Sequence, residues 1–166
     1  MAVIPIRCVP DPVLRLKAKR ITIFSDRLQK LVDDMIETLH DANGMGLAAP
    51  QVGISLRLVV LQPPDHDLLV LINPEVVKKS GERNVTEGCL SIPGYQGEIK
   101  RAVSVIVKGR DRHGKQIRVK AANDYLEQAL EHEIEHLDGV LYTDHLESPD
   151  NLRKLELKPQ TEEPKE

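Results

Sequence analysis

His132-Glu133-Ile134-Glu135-His136-Leu137-Asp138-Gly139 is the stretch from which the rest of the chain is read. Two histidines four residues apart on a helix lie one turn above the other, so both imidazoles reach a single cation, with Glu133 beside them as a base. That is the pattern of a metal hydrolase. Catalytic metal sites usually take three protein ligands and leave the next position to water, so a third ligand has to come from elsewhere in the chain.

The helix carrying this stretch is expected to start at an Asn123 cap, with Asp124 in its first turn, and to end at Gly139. It has two useful faces. Leu126, Leu130, Ile134 and Leu137 form a core stripe, whereas Tyr125, Ala129, His132 and His136 follow i, i+4, i+7, i+11 along the adjoining side. Glu133 falls at the join, in line with Leu126, which predicts a poorly solvated carboxylate with a raised pKa.

Outward from the helix, residues 103–108 alternate apolar and polar, Asp111-Arg112-His113-Gly114 turns, and 116–120 returns, which predicts a hairpin. Strands are expected at 56–61 and 68–73 with Pro63-Pro64-Asp65 turning between them, so the sheet reads as antiparallel or mixed. Before them lies Gly44-Met45-Gly46-Leu47-Ala48-Ala49-Pro50-Gln51-Val52-Gly53, small and apolar for a loop, with Gln51 as its one polar side chain. Leu28, Leu31, Val32, Met35, Ile36 and Leu39 predict a helix over 26–42, capped by Ser25 and stopped by Asn43-Gly44. Pro5, Pro10 and Pro12 leave residues 1–24 as an extended arm. After Leu146 the pattern fades into a short helix over about 150–157 and a disordered charged tail at 158–166. The organisation is one catalytic domain over 1–147 followed by 148–166, without repeats.

Composition narrows the function classes. Hydrophobic residues at 40% and charged residues at 30% are those of a globular protein, and one Phe, three Tyr and no Trp argue against base-stacking platforms. With 23 basic against 26 acidic residues and no basic block, nothing in the linear pattern marks a phosphate-tracking surface, although a small local patch touching a larger assembly stays open. No apolar run of signal-peptide or membrane-spanning kind is present, which predicts no membrane partner and a cytoplasmic setting, and two cysteines are too few for a disulfide scaffold.

Cys89 lies in Glu87-Gly88-Cys89-Leu90-Ser91-Ile92-Pro93-Gly94, where a Gly- and Pro-bounded backbone is able to present a sulfur ligand. One Cys and two His make a ligand set that suits zinc or iron and leaves a net positive charge to polarise a carbonyl. Cys8 has no such setting and reads as structural. A zinc peptidase completed by Glu147 or Glu156 is the competing assignment of the third ligand. The spacing His132-Glu133-x-x-His136-x-x-Gly139-x-x-Tyr142 approaches the long metzincin pattern, but Tyr142 stands where the third His belongs and no Met follows for a Met-turn.

Residues 44–51, 87–93 and 132–141 together resemble, in order and spacing, the three signature motifs of the peptide deformylase family, and Met1-Ala2-Val3-Ile4-Pro5-Ile6 with Pro10-Asp11-Pro12-Val13-Leu14-Arg15 is similar to its N-terminal arm. The resemblance implies an α+β fold with a mixed or antiparallel sheet packed around the metal-binding helix. It implies removal of the formyl group from N-formylmethionine of nascent polypeptides, with release of formate. By motif position Cys89, His132 and His136 are the metal ligands, Glu133 is the acid/base, and Gln51 with the Leu90 backbone N–H donates to the oxyanion. The family works with Fe(II) and tolerates zinc, nickel or cobalt, metals that this ligand set does not distinguish.

Further expectations follow from that resemblance. Gly46 lets the chain pass close to a peptide that pairs with this edge as an added strand, and no Lys-Ser/Thr follows to make the segment a phosphate loop. Met45, Tyr125 and Ala129 are candidates for an apolar methionine pocket. Glu87 and Arg101 pair to brace the Cys89 loop as in relatives. Glu131 stands where many relatives have Gln, and Gln96 where they often have a basic residue. Partners are formyl-Met nascent chains and the ribosome exit region, without sequence-specific nucleic-acid binding, in bacterial cytoplasm.

Overall fold

The structure, a computed structural model, describes residues 2–155 of the 166-residue chain. Helix α1 spans Asp26–Asp41 and α2 spans Tyr125–His136. The strands in chain order are β1 (Gly46–Ala48), β2 (Leu58–Leu61), β3 (Leu69–Ser80), β4 (Arg83–Cys89), β5 (Ile92–Arg101), β6 (Ser104–Arg110), β7 (Gln116–Ala122) and β8 (Leu152–Lys154). Five of them form a sheet in the order β1-β2-β3-β6-β7, and β4-β5-β8 form a second; every pairing between these strands is antiparallel. The fold is α+β, as expected.

Strand β2 explains how the layers meet. Successive strand side chains point to opposite faces, and all four residues of Leu58-Val59-Val60-Leu61 are buried. Val59 and Leu61 pack with Leu130 and Ile134 of α2 and with Leu137 just past its end, whereas Leu58 and Val60 pack with Val32, Met35 and Leu39 of α1. The β2 end of the large sheet is thus covered on both faces, and each buried Leu or Val contributes about 1.5–3 kcal/mol relative to exposure. The stripe read on α2 is the one that faces this sheet, so the helix is oriented by its apolar side and its histidines are turned toward the small sheet. Ile92, Ile99, Leu141 and Tyr142 form a separate core there.

Helix boundaries follow local chemistry. Ser25 caps α1, accepting from the Leu28 N–H at 3.3 Å, and Asn43, not Gly44, takes the left-handed conformation (φ +53°) just past its end. Asp124, and not Asn123, caps α2: its Oδ1 accepts from the Glu127 N–H at 2.9 Å, while Asn123 takes the left-handed turn out of β7 at φ +52°. Asn tolerates that conformation better than other non-glycine residues. The helix stops at His136. Gly139 lies in the turn beyond it at φ +74°, where a Cβ would come within 2.6 Å of the Arg15 carbonyl oxygen, so only glycine fits.

Three expectations are corrected. Strand β3 runs on to Ser80, past the expected end at 73, because its second half pairs with β6 through two register shifts. The hairpin β4–β5 is an addition to the expected elements. The segment at about 150–157 is not a helix in its described part: Pro149–Asn151 make one 3-10 turn and Leu152–Lys154 join the small sheet opposite Tyr95–Gly97. A segment that short is a poor isolated helix, and pairing with an existing strand edge satisfies its backbone. The expected tail at 158–166 lies outside the described residues.

The N-terminal arm is extended apart from one 3-10 turn at Pro12–Arg15, capped by Asp11, and it is bound along its length. Ala2 N–H donates to Asp34, Ile4 N–H to Thr38, Arg7 N–H to the Gln51 carbonyl at 2.7 Å, and Val9 N–H to the Ser91 carbonyl at 2.9 Å. Asn73 holds Ile21 through both its side-chain oxygen and nitrogen.

Removing the α2 cap with Asp124→Ala is expected to lower stability by about 1 kcal/mol. Calorimetry should show Tm lower by about 2–4 °C for a domain of this size.

Candidate metal centre

His132 and His136 stand on successive turns of α2 with ring centroids 4.8 Å apart and their Nε2 atoms 3.1 Å apart. Cys89, the last residue of β4, brings its Sγ to 3.4 Å from His136 Nε2. Among the described residues these three make the cluster of His, Cys and carboxylate ligand atoms that converges within 4.8 Å. Bonds of about 2.0–2.1 Å to nitrogen and 2.3 Å to sulfur at tetrahedral angles leave such atoms about 3.3–3.6 Å apart. The two separations from His136 Nε2, 3.1 Å to His132 and 3.4 Å to Cys89, lie close to that range, as a divalent cation held by a sulfur and two nitrogens requires.

The placement of Cys89 is a property of the small sheet. Glu87 and Cys89 are two apart on β4 and so face the same side, toward α2, and the β4–β5 ladder shifts register between them before closing through the Leu90-Ser91 turn. Such irregularities re-aim side chains at strand ends. Glu87 uses its position to orient the first histidine: His132 Nδ1 hydrogen-bonds to Glu87 Oε1, which leaves Nε2 turned toward Cys89 and His136. A carboxylate behind a ligating histidine fixes tautomer and ring orientation.

Glu87 is itself held on both oxygens. Arg101 donates to it from two guanidinium nitrogens, Gln128 Nε2 adds a contact at 3.3 Å, and Arg101 also reaches Glu135. Both Glu87 and Arg101 are buried. Burial alone would push the Glu87 carboxyl up, but the hydrogen bonds from His132 and Arg101 outweigh it and hold the pKa at about 2. The pairing of Glu87 with Arg101 is the brace the sequence suggested.

Glu133 is buried beside the cluster, its Oε1 3.8 Å from His132 Nε2 and its Oε2 without a hydrogen-bond partner among the described residues. Burial pushes its carboxyl up to about 7, with the charge of His132 acting against that rise. Its side chain is confined by Gly46, where an added Cβ would lie 2.8 Å from Glu133 Cγ. Gly46 was expected to allow approach of a peptide; its closest neighbour in the structure is the acid itself.

Gln51, also buried, accepts from the Ala48 N–H at 2.9 Å through Oε1, which fixes the amide so that Nε2 faces Ser91 Oγ at 3.1 Å and Cys89 Sγ at 3.7 Å. A cavity of about 430 Å³ opens onto Cys89, His132 and Glu133, with Met45, Leu90, Tyr95, Ala129 and Leu155 in its wall. Tyr125, expected to share this wall, is more than half exposed and lines a neighbouring cleft with His66 and Arg83.

Several other expectations meet their outcome here. Glu147 is engaged by Lys100 at 3.1 Å on the surface and does not approach the cluster; Glu156 lies outside the described residues. Cys8 is exposed and not part of the core. Glu131 turns away from the ligands, accepting from the Ala102 N–H at 2.9 Å. Arg153 stands opposite Gln96 but pairs with Glu98 at 2.8 Å. Sequence reasoning missed Tyr142, whose buried ring stacks on His132 at 6.2 Å between centroids, and Leu155, which reaches the cavity wall because its N–H bonds to the Gly94 carbonyl. The i+10 position of Tyr142 relative to His132 lies beyond the helix end, so no periodicity pointed to it.

An α+β scaffold that turns a Cys-His-His cluster and a buried carboxylic acid into one cavity defines a metal-dependent hydrolase. Residues 3–152 match the family described as polypeptide deformylase. The chain is 58% identical to the peptide deformylase of Dehalococcoides mccartyi (strain CBDB1) over all of its own length and 98% of the relative's, and 49% identical to that of Thermodesulfovibrio yellowstonii over 88% and 90%. The fold superposes on the crystal structure of a peptide deformylase from Legionella pneumophila with a TM-score of 0.86 at 43% identity, covering 90% of this chain and 89% of that one. The peptide deformylase of Thermotoga maritima gives 0.85 at 37%, covering 89% and 100%. The chain belongs to the polypeptide deformylase family and is a metal-dependent enzyme that removes the N-formyl group from nascent peptides.

Replacing Glu87 with Gln keeps an acceptor for His132 but removes the charge that Arg101 pairs with. Metal affinity, measured by competition with a chelator, is expected to fall by about 10- to 100-fold.

Proposed function

We propose that Cys89, His132 and His136 hold the divalent cation of this deformylase, Fe(II) in its native state with zinc, nickel or cobalt accepted, and that Glu133 carries the proton between water and product. The observation behind this assignment is the convergence of the three ligand atoms with the buried Glu133 carboxyl 3.8 Å from His132 Nε2. A cation bound there supplies Lewis acidity, making water nucleophilic near neutral pH and polarising the formyl carbonyl.

The remaining chemistry belongs to the chain. Glu133 accepts the proton of the attacking water and returns it to the nitrogen as the formyl C–N bond breaks, so that formate and a free amino terminus leave. A carboxyl confined by Gly46 and by burial is suited to both transfers, since it need not move between them. Gln51 Nε2, 3.7 Å from Cys89 Sγ, and the N–H of Leu90, a residue of the cavity wall, are the donors assigned to the developing oxyanion, and the Ala48 N–H keeps the Gln51 amide from flipping. Loss of one such donor costs about 3 kcal/mol of barrier.

Strand β1 lies at the edge of the large sheet, so the peptide backbone has a strand to pair with. Met45 and Ala129 are then the walls for the methionine side chain, and Tyr125 takes no part in that pocket. A bacterial cytoplasmic setting, with nascent chains met near the ribosome exit region, is supported by the bacterial relatives and by the substrate class.

The decisive measurement is formate release from formyl-Met-Ala-Ser by anaerobically purified protein, with metal quantified in the same sample. Glu133→Ala should retain metal and lose formate release, while Cys89→Ala should lose the metal itself. Gly46→Ala should keep metal but displace Glu133, lowering kcat on the order of a hundredfold, the scale of a misplaced catalytic group.

A further inference from the structure

The large sheet carries a charge pattern that the linear sequence hides. In register, Lys108 on β6 stands directly opposite Arg118 on β7, Ile106 opposite Lys120, and Lys78 on β3 opposite Ile106. Residues opposite one another in an antiparallel pair share a face. Together with Arg110, two residues along β6 from Lys108, these put Lys78, Lys108, Arg110, Arg118 and Lys120 on one face of three adjacent strands, against a single carboxylate, Glu75. Helix α1 covers the other half of the same face, where Leu58, Val60 and Ile72 lie. Lys108 reaches Glu75 at 3.6 Å; among the described residues Lys78, Arg118 and Lys120 have no ion pair, and Arg110 donates to a backbone carbonyl. A cavity of about 410 Å³ at one end of the face adds Arg20 to Arg110 and Arg118.

This arrangement opposes folding, because like charges directly opposite in a ladder are destabilising. Lysines on an edge strand can be explained as protection against sheet-to-sheet pairing, which accounts for Arg118 and Lys120 on β7. It does not account for Lys108 and Arg110, which sit on β6 between β3 and β7, whereas Lys78 lies on the part of β3 beyond its pairing with β2. The chain as a whole has a net charge of −3, so its mean field repels a polyanion and any attraction has to be local.

We infer that the exposed face of β3, β6 and β7 is a docking surface for the phosphate backbone of double-stranded RNA. The cations form a grid with spacings of about 5 Å across strands and about 7 Å along them. That grid suits a row of phosphates. Strands β3, β6 and β7 offer no aromatic ring to stack on a base, which excludes reading of single strands, and the apolar side chains on or beside the face, Ile106 and Val77 at the β3 register shift, are too few for the hydrophobic centre of a protein interface or for insertion into lipid. Binding of this kind positions without reading sequence. It goes beyond the deformylase reading, and the two are tested separately below.

The test is fluorescence anisotropy of an RNA duplex of about 16 base pairs titrated with the full chain over a range of salt, beside formate release from a free formyl-Met peptide. Wild type should bind with log K falling linearly in log salt. The double variant Arg118→Glu/Lys120→Glu should weaken binding at low salt by tenfold or more and reduce the slope by about one for each phosphate left without its cation. Its kcat/KM on free peptide should be unchanged, and its Tm equal or higher, since the Lys108–Arg118 repulsion becomes an attraction. A control reversal on the small sheet, Lys100→Glu/Arg153→Glu, should leave RNA binding nearly intact. The inference is overturned if wild type shows no salt-dependent RNA binding, if the control loses as much as the double variant, or if vesicles of anionic lipid bind as tightly as RNA and lose as much on reversal. Failure of formate release in wild type would instead strike the deformylase reading and leave the RNA result standing.

Discussion

The buried Glu87 carboxylate is the interaction on which the centre depends. A carboxylate removed from water is costly unless its oxygens are met by charged donors, and here Arg101 meets both oxygens while His132 shares Oε1 with it. Because Arg101 ends β5, Glu87 lies on β4 and His132 on α2, one ion locks the small sheet to the helix. Arg101 extends the lock through Glu135, one residue before His136. The geometry of both histidines is thus set by a charge network behind them and not by the helix alone.

Packing supplies the complementary constraint. Strand β2, covered by a helix on each face, fixes where α2 sits, and the apolar stripe of α2 fixes how it is rotated. The histidines and Glu133 then have one direction left to face, across the seam toward β1 and the end of β4. Gly46 is the point of least clearance on that seam: its missing side chain is the space into which Glu133 fits. Catalytic geometry in this protein is what two ordinary packing constraints leave behind once both are met.

What was legible in the sequence was whatever repeats with a period. The 3.6-residue stripes of Leu28 to Leu39 and Leu126 to Leu137, and the alternation of 103–108, all corresponded to elements in the structure. The β4–β5 hairpin was not legible, because Gly88, Pro93, Gly94 and Gly97 interrupt it and its outward residues are polar. Asn123 looks like a cap in one dimension; only the backbone shows that it makes the turn and leaves Asp124 to cap. Cys89, His132 and His136 could be nominated by residue type, and the structure brings them together. Tyr125 could not be rejected by spacing, since its side of the helix is right and only its height along the axis puts it in the neighbouring cleft. Charge was the most misleading quantity: a search for basic runs finds nothing in β3, β6 and β7, because strand alternation divides one cationic face among three segments.

Residues 7 and 9 of the N-terminal arm are tied to the site by their main-chain N–H groups, and Cys8 between them by its Sγ at 3.8 Å from the Leu90 carbonyl. Arg7 N–H holds the Gln51 carbonyl and Val9 N–H holds the Ser91 carbonyl, while both side chains are exposed. Since the amide, and not the side chain, makes each bond, positions 7 and 9 can drift through most of the genetic code without disturbing the cavity floor. One residue is closed to them. Proline has no N–H to give, so a substitution that looks innocuous on an exposed, already proline-rich arm would cut a tether to Gln51 or Ser91, and tolerance at these two positions should be broad but end abruptly at that single amino acid.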